Sequence, residues 1–316
     1  MTTAPRRSVL VTGGFGFLGG ACARTFQARG FRVVGIGHGA WADEAAAAAH
    51  GYDRWVEADV SLAGLSALGE TFDVVAHCAS NGSVPYSLSH PLEAFQRTVG
   101  STAELLEHLR RAGGDTLVIY PSSAAVYGAT PDRPLVETDT PNPVSPYGFH
   151  KQMTEELLRA HAHSFGQRAV SVRFFSIYGP GLEKQLLWDA AAKLLSGAPE
   201  ALFWGTGEET RDWIHVDDAA TLIADLADRR ETGAVVNGAS GVRVTVREVL
   251  EMLRAALGVD IPIAFNGTIK AGDPRFYHAD VARLDGLGWR PAISLSDGIA
   301  GYARWIQAVR GASPAN

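Results

Sequence analysis

Tyr147 and Lys151 stand four residues apart in Pro146-Tyr147-Gly148-Phe149-His150-Lys151. In a helix, residues at that spacing share a face, so a phenol and an ammonium would point into one cleft. A neighbouring cation favours the phenolate. Bringing a phenol down from a pKa near ~10 by about three units takes roughly 4 kcal/mol, and the product is a base of useful strength at neutral pH. The chain has eight Tyr, and its lysines are Lys151, Lys184, Lys193 and Lys270. A chance Tyr-x-x-x-Lys is then expected about 0.1 times. The spacing alone does not carry the assignment, so the surrounding motifs must.

The first of these is Gly13-Gly14-Phe15-Gly16-Phe17-Leu18-Gly19-Gly20, preceded by the apolar run 8–12 and followed by a helical pattern to about Arg29. A strand, a glycine turn and a helix in that order let backbone approach a pyrophosphate seated on a helix N-terminus. Gly13, Gly16, Phe17, Leu18 and Gly19 are the expected dinucleotide contacts. The second strand, 32–37, should end in an acid for the adenosine ribose, yet Gly37-His38-Gly39 stand there. That substitution leaves NADP beside NAD, although no Arg or Lys follows closely to hold a 2′-phosphate.

The remaining elements extend this pattern. Strands are expected at 54–58, 72–78, 116–120 and 168–175, with helices over 44–50, 91–112 and 147–165 between them. Such alternation predicts an α/β fold with a doubly wound parallel (Rossmann) sheet, whose ligands sit beyond the carboxyl ends of the strands. His38, Asp59, Val60, Cys78 and Ala79 fall at those ends. Asp59 suits an adenine amino group, the competing reading being a helix N-cap. Ser122 and Ser123 end the fifth strand. Beyond Gly181 the alternation fades into shorter elements. The expected organisation is a dinucleotide-binding domain over 1–180, with 211–240 packing back onto it, and a smaller mixed substrate-binding domain from 181–210 and 241–316.

With 46% apolar and 20% charged residues, the composition is that of an ordinary globular enzyme. The net charge of −6 carries no basic run that could track a nucleic acid or an anionic membrane. Cys22 and Cys78 both lie in apolar stretches, which argues against a disulfide framework and for a reducing, cytoplasmic setting. The apolar run 9–23 holds patterned glycines and does not read as a signal sequence. No metal-ligand spacing is present.

Taken together, Thr12-Gly13-x-x-Gly16-x-x-Gly19, Ser122-Ser123-Ala124-Ala125-Val126-Tyr127-Gly128, Tyr147-x-x-x-Lys151, Arg173-Phe174-Phe175-Ser176-Ile177-Tyr178-Gly179-Pro180-Gly181 and Arg211-Asp212-Trp213-Ile214-His215-Val216-Asp217-Asp218 resemble the extended short-chain dehydrogenase/reductase family. Within it they look most like the nucleotide-sugar epimerase and dehydratase branch. The resemblance implies that Tyr147 is the acid/base, that Lys151 bonds the nicotinamide ribose and depresses the tyrosine pKa, and that Ser123 bonds the reacting oxygen. It further implies a nucleotide-diphosphate sugar substrate met by Ser122, Ser123, Ser176, Arg211, Lys270 and Asp273, and a homodimer built from two long helices of each subunit, here 91–112 and 147–165. Asp212, Asp217 and Asp218 are expected to be structural, capping the helix that starts there.

Dehydratases of this branch carry an Asp-Glu pair where this chain has Ala124 and Ala125, which can move no proton. The arrangement resembles the Ser-Ser-Ala-x-Val-Tyr-Gly of UDP-hexose 4-epimerases and implies NAD-dependent 4-epimerisation through a transient 4-keto sugar. An NADP-dependent 4-ketosugar reductase and a dehydratase drawing on His150 or Glu183 are the alternatives. A non-catalytic dinucleotide sensor is disfavoured, because such sensors have lost the Tyr-Lys pair. Glu183 stands where glucuronate 4-epimerases place an arginine, which disfavours a uronic acid unless Lys184 substitutes.

Overall fold

The computed structural model describes residues 6–80, 82–268 and 275–311. Six strands, β1 Ser8–Thr12, β2 Arg32–Gly37, β3 Arg54–Glu57, β4 Val74–His77, β5 Leu117–Ser123 and β6 Arg168–Phe174, join Val235–Gly238 in one seven-stranded sheet. Its order is Val235–Gly238, β6, β5, β4, β1, β2, β3, and the pairs among β1 to β6 are parallel. Both faces of the sheet are covered, so its strands read as continuous apolar runs rather than alternating ones. Leu10, Val34, Ile36, Val75, Val118 and Tyr120 from the sheet pack with Leu105, Leu106 and Leu158 from two helices in one buried cluster. The strand order reverses between β1 and β4, and a crevice opens there at their carboxyl ends.

Two helical segments depart from expectation. A short helix, Val84–Ser89, is added before the expected one, its first turn capped by the Ser83 hydroxyl accepting from Tyr86 N at 3.3 Å. The helix expected over 91–112 is interrupted: Pro91–Phe95 is α-helical, Gln96–Gly100 forms a π turn, and Ser101–Ala112 is α-helical again. The wider turn accommodates one extra residue. Thr98 and Val99 inside it are both buried, and Thr102 one turn later donates its hydroxyl to the Thr98 carbonyl at 2.6 Å.

The chain divides into two compact units. The first is Met1–Gly128, Asp139–Phe174 and Ala219–Val236; the second is Ala129–Thr138, Phe175–Asp218 and Asn237–Asn316. Residues 129–138, expected with the dinucleotide-binding domain, therefore belong to the second unit. Leu135 explains why: its N–H donates to His278 O at 3.0 Å and its carbonyl accepts from the Asn237 side chain at 2.8 Å. Of the expected returning segment 211–240, only Ala219–Val236 belongs to the first unit. The second unit is built from small strand pairs. Trp213–His215 runs parallel to Ser176–Tyr178, Ile263–Phe265 parallel to Ala201–Phe203, and Val244–Thr245 antiparallel to Thr210–Arg211. The helices Gln185–Leu194, Val246–Leu257 and Leu295–Gly311 complete it. Val246–Leu257 opens with a full capping box in which Thr245 and Glu248 each satisfy the other's backbone N–H.

Asp212, expected as a helix cap, holds loops instead: its carboxylate accepts from Ser240 N, Ser240 Oγ, Gly241 N and Ala279 N. Burial pushes it up to about 6 against those bonds. Asp218 likewise accepts from Ala292 N and Ile293 N at 2.9 and 3.0 Å.

Candidate active site

The helix Pro146–Phe165 starts as its sequence dictates. Ser145 accepts from Gly148 N at 3.2 Å, Pro146 occupies the first turn where its missing N–H costs nothing, and Gly166 closes the helix at φ +70°. Gly148, Lys151, Thr154, Glu155 and Leu158 form its buried face. Gly148 has a further task. A Cβ there would sit 2.6 Å from Ala125 O, so only glycine lets the helix lie against the turn that follows Ser123.

That close approach brings the two hydroxyls into one neighbourhood. Ser123 Oγ accepts from Ala125 N at 3.1 Å, which leaves the serine proton to be given to an oxygen on the open side of the strand, and Ser123 lies near enough to the Tyr147 phenol to favour its ionised form. Burial pushes the Tyr147 phenol up from its ordinary value, and Ser123 opposes it. The expected depression by Lys151 is not among the influences on the phenol in the chain by itself. Lys151 Nζ lies 5.8 Å from the Tyr147 ring centroid and donates to Pro121 O at 2.8 Å and to Ser80 Oγ at 3.1 Å. Burial brings this ammonium down to about 7, with Cys78 and Glu155 pulling it back up.

The glycine turn meets the crevice between β1 and β4. Gly13 has φ +62°, and a Cβ on it would stand 2.7 Å from Ala79 N; a Cβ on Gly19 would stand 2.4 Å from Gly13 O. The helix Phe17–Ala28 that follows has Gly16 as its N-cap and hence no side-chain cap, so no side-chain oxygen takes up the N–H groups of Phe17, Leu18 and Gly19. A helix N-terminus left in that state fits a pyrophosphate. Cys78 is half-buried, and Ala79 N donates to Thr12 Oγ1 at 3.1 Å.

His77, passed over in the sequence as a strand end, organises this edge. Its Nδ1 lies 2.7 Å from Thr12 Oγ1 and its Nε2 3.0 Å from Thr102 Oγ1. Thr102 spends its proton on Thr98 O, so His77 Nε2 donates to Thr102 and Nδ1 accepts from Thr12. The ring is the neutral Nε2–H tautomer, and burial with the nearby Lys151 charge lowers it to about 3.

At the ends of β2 and β3, His38 Nε2 and Asp59 Oδ1 are 3.0 Å apart and both side chains are exposed. Ser61, not Asp59, caps the next helix by accepting from Gly64 N at 3.1 Å, which leaves the Asp59 carboxylate open to a ligand. Val60 beside it is buried. Ser122, expected among the substrate contacts, is turned the other way. Its hydroxyl donates to Glu155 Oε1 at 2.5 Å inside a buried network with Arg173, because successive strand residues face opposite sides and Ser123 takes the open one.

The second unit holds a cavity of about 430 Å³ that includes Ser176 and Arg211 in its lining, with Gln185, Trp204, Trp213 and Arg275. Gln185 has φ +68°, a conformation that costs a non-glycine residue about 1–3 kcal/mol. Arg211 donates to Thr210 O at 2.8 Å and spreads over Tyr277. Of these cavity residues, Ser176 and Arg211 are expected from the sequence motifs, and Gln185, Trp204, Trp213 and Arg275 are added by the structure. Trp204 stands just before the glycine turn Gly205-Thr206-Gly207, and that adjacency was its one available signal. Lys270 and Asp273 lie outside the described residues. His150 packs edge-on against Phe95, and Glu183 is exposed. No group of three or more metal-ligating side chains occurs among the described residues, nor any helix long and apolar enough to cross a membrane.

Residues 9–238 match the NAD dependent epimerase/dehydratase family. A UDP-glucose 4-epimerase of Azospirillum brasilense is 33% identical over 321 residues, covering 94% of this chain and 91% of its own. Among solved structures, a UDP-N-acetylglucosamine 4-epimerase from Methanobrevibacter ruminantium is similar with a TM-score of 0.87 at 25% identity, over 97% of this chain and 100% of that one. The Thermus thermophilus UDP-glucose 4-epimerase in complex with NAD superposes with a TM-score of 0.83 at 27% identity, with the same coverage.

Proposed function

This chain belongs to the NAD dependent epimerase/dehydratase family, and from that premise we propose that it is a nucleotide-sugar 4-epimerase, an isomerase working through a transient 4-keto sugar. The observation that carries the reading is the packing of the Tyr147 helix against the turn after Ser123, which sets Ser123 beside Tyr147, with Lys151 one turn on and two alanines after Ser123. Oxidising a sugar carbon requires its hydroxyl to lose a proton as the hydride leaves, so a base must reach that oxygen. Tyr147 takes the proton and later returns it, Ser123 bonds the same oxygen, and Lys151 stabilises the phenolate. Ala124 and Ala125 offer nothing to move a second proton, so the chemistry stays at one carbon.

NAD supplies the hydride acceptor when bound. Gly13, Gly16, Phe17, Leu18 and Gly19 would hold its pyrophosphate, Asp59 with Val60 and His38 its adenosine, and Cys78 and Ala79 the crevice beneath it. Arg211 would clamp the substrate diphosphate, a guanidinium suiting that bidentate task, with Ser176 beside it. The test is a panel of UDP-, GDP-, CDP- and dTDP-sugars incubated with the protein and oxidised NAD and read by NMR, with any retained nicotinamide identified by mass. Epimerised product and retained NAD are expected. A panel left entirely unepimerised sinks the reading, and turnover only with added NADPH favours the reductase.

The protein is further proposed to be a cytoplasmic homodimer. Phe149 and Met153 are exposed at 46% and 45% on one face of Pro146–Phe165, and Leu88 and Leu92 at 64% and 68% on the short helices before the π turn. Apolar exposure on that scale marks an association face. Two free thiols are consistent with a reducing compartment. Light scattering coupled to size exclusion reads the mass directly.

A further inference from the structure

Lys151 is 3% exposed, yet it must carry a charge to act on a phenol. An ammonium has three N–H donors. Two are committed, to Pro121 O at 2.8 Å and to Ser80 Oγ at 3.1 Å. Beneath the same nitrogen lies the ring of Tyr120, its centroid 4.7 Å away and its side chain fully buried in β5. A cation over an aromatic face is attracted by the ring quadrupole, and most strongly when both are out of water. One acceptor from β5, one from the segment after β4 and one ring from β5 therefore surround the ammonium.

We propose that Tyr120 and Ser80 are positioning residues for the Tyr147–Lys151 pair: together with the Pro121 carbonyl they keep the buried Lys151 charged and leave its third N–H for the reacting side of the crevice. Neither residue belongs to the Ser-Tyr-Lys set, and neither touches Tyr147 through a hydrogen bond. The inference rests on Lys151 acting in the proposed site, but its test needs no substrate.

Burial works against the charge and, even with Cys78 and Glu155 opposing it, leaves Lys151 at about 7. The titratable groups facing it are His77 and Cys78 at the end of β4, Tyr120 on β5, and Tyr147 and Glu155 on its own helix. His77 is neutral in its tautomer, and the Tyr120 hydroxyl is held protonated by burial. The Tyr120 ring acts through its π face, so its hydroxyl is dispensable for this role.

The experiment follows the Lys151 side-chain 13Cε signal in full-length protein carrying labelled lysine. Four lysines in the chain make the assignment tractable by comparison with Lys151→Met. Tyr120→Leu, which removes the ring, is expected to lower the Lys151 titration midpoint by about one pH unit, and Ser80→Ala by about half a unit. Tyr120→Phe, which restores the ring, is expected to restore the wild-type midpoint. If Tyr120→Leu does not fold, Ser80→Ala and Tyr120→Phe decide. A wild-type midpoint in Ser80→Ala and in any folded Tyr120→Leu overturns the proposal, and so does a Tyr120→Phe midpoint as low as that expected of the leucine variant. Failure of the nucleotide-sugar panel would leave this titration intact, so the two ideas stand or fall separately.

Discussion

The Arg173 guanidinium and the Glu155 carboxylate meet at 2.8 Å beneath the Tyr147 helix, with side-chain exposures of 5% and 8%. Glu155 also accepts the Ser122 hydroxyl, and Arg173 lies over the Tyr127 ring at 4.8 Å. This pair ties β5 and β6 to the helix that carries the chemistry. Glu155→Ala leaves a buried guanidinium uncompensated and is expected to destabilise the fold by about 3–5 kcal/mol. Urea denaturation checks this, and a loss under 1 kcal/mol would mean that solvent reaches Arg173.

Tyr147→Phe removes one oxygen from a half-buried ring and keeps its shape. The expected outcome is a kcat lower by about 10²–10⁴-fold with the melting temperature nearly unchanged. Full turnover in this variant on a confirmed substrate would remove Tyr147 from its assigned role.

Gly13→Ala strikes the cradle. Its φ of +62° already disfavours a side chain, and the new Cβ would lie 2.7 Å from Ala79 N, a backbone atom that cannot swing aside. The variant is expected to be purified without nicotinamide and to bind added NAD at least ten times more weakly, as calorimetry would read. Unchanged affinity would place the pyrophosphate elsewhere.

Much of the first unit was legible because its signals are local. A glycine turn between a strand and a helix, and a proline-led helix with a serine cap, announce themselves within a dozen residues. The direction a strand-end side chain takes is not local. Ser122 and Ser123 are identical in type and adjacent; the strand turns them to opposite sides, and the partner that receives the buried one, Glu155, is 33 positions away. His77 escaped notice for a related reason. Its partners Thr12 and Thr102 are 65 and 25 residues distant, and nothing in composition links them. In the second unit, two- and three-residue strands carry too little periodicity to be read, so Arg211 was found by its motif and Trp204 not at all.

His77 also sets a pH dependence. A histidine held down to about 3 in the fold against its ordinary 6.5 binds fewer protons when folded than when unfolded across that window. Its contribution is complete above pH 6.5 and is lost as pH falls toward 3, with a slope of at most about 1.4 kcal/mol per pH unit. Unfolding free energies measured from pH 8 to pH 4 are expected to fall more steeply in the wild type than in His77→Asn, which should be less stable at pH 8 but flatter. Parallel curves would show that the ring takes up its proton as readily in the fold as in the unfolded chain.

The π turn at Gln96–Gly100 inserts one residue into what would otherwise be a continuous helix, and one residue is about 100° of rotation. Before it, Leu92 faces solvent; after it, Thr102, Leu105 and Leu106 face the sheet and His77. With that extra residue the two faces have separate angular settings. The outward face can drift toward a new partner while Thr102 keeps its bond to His77, and deleting the single residue would lock the two rotations together.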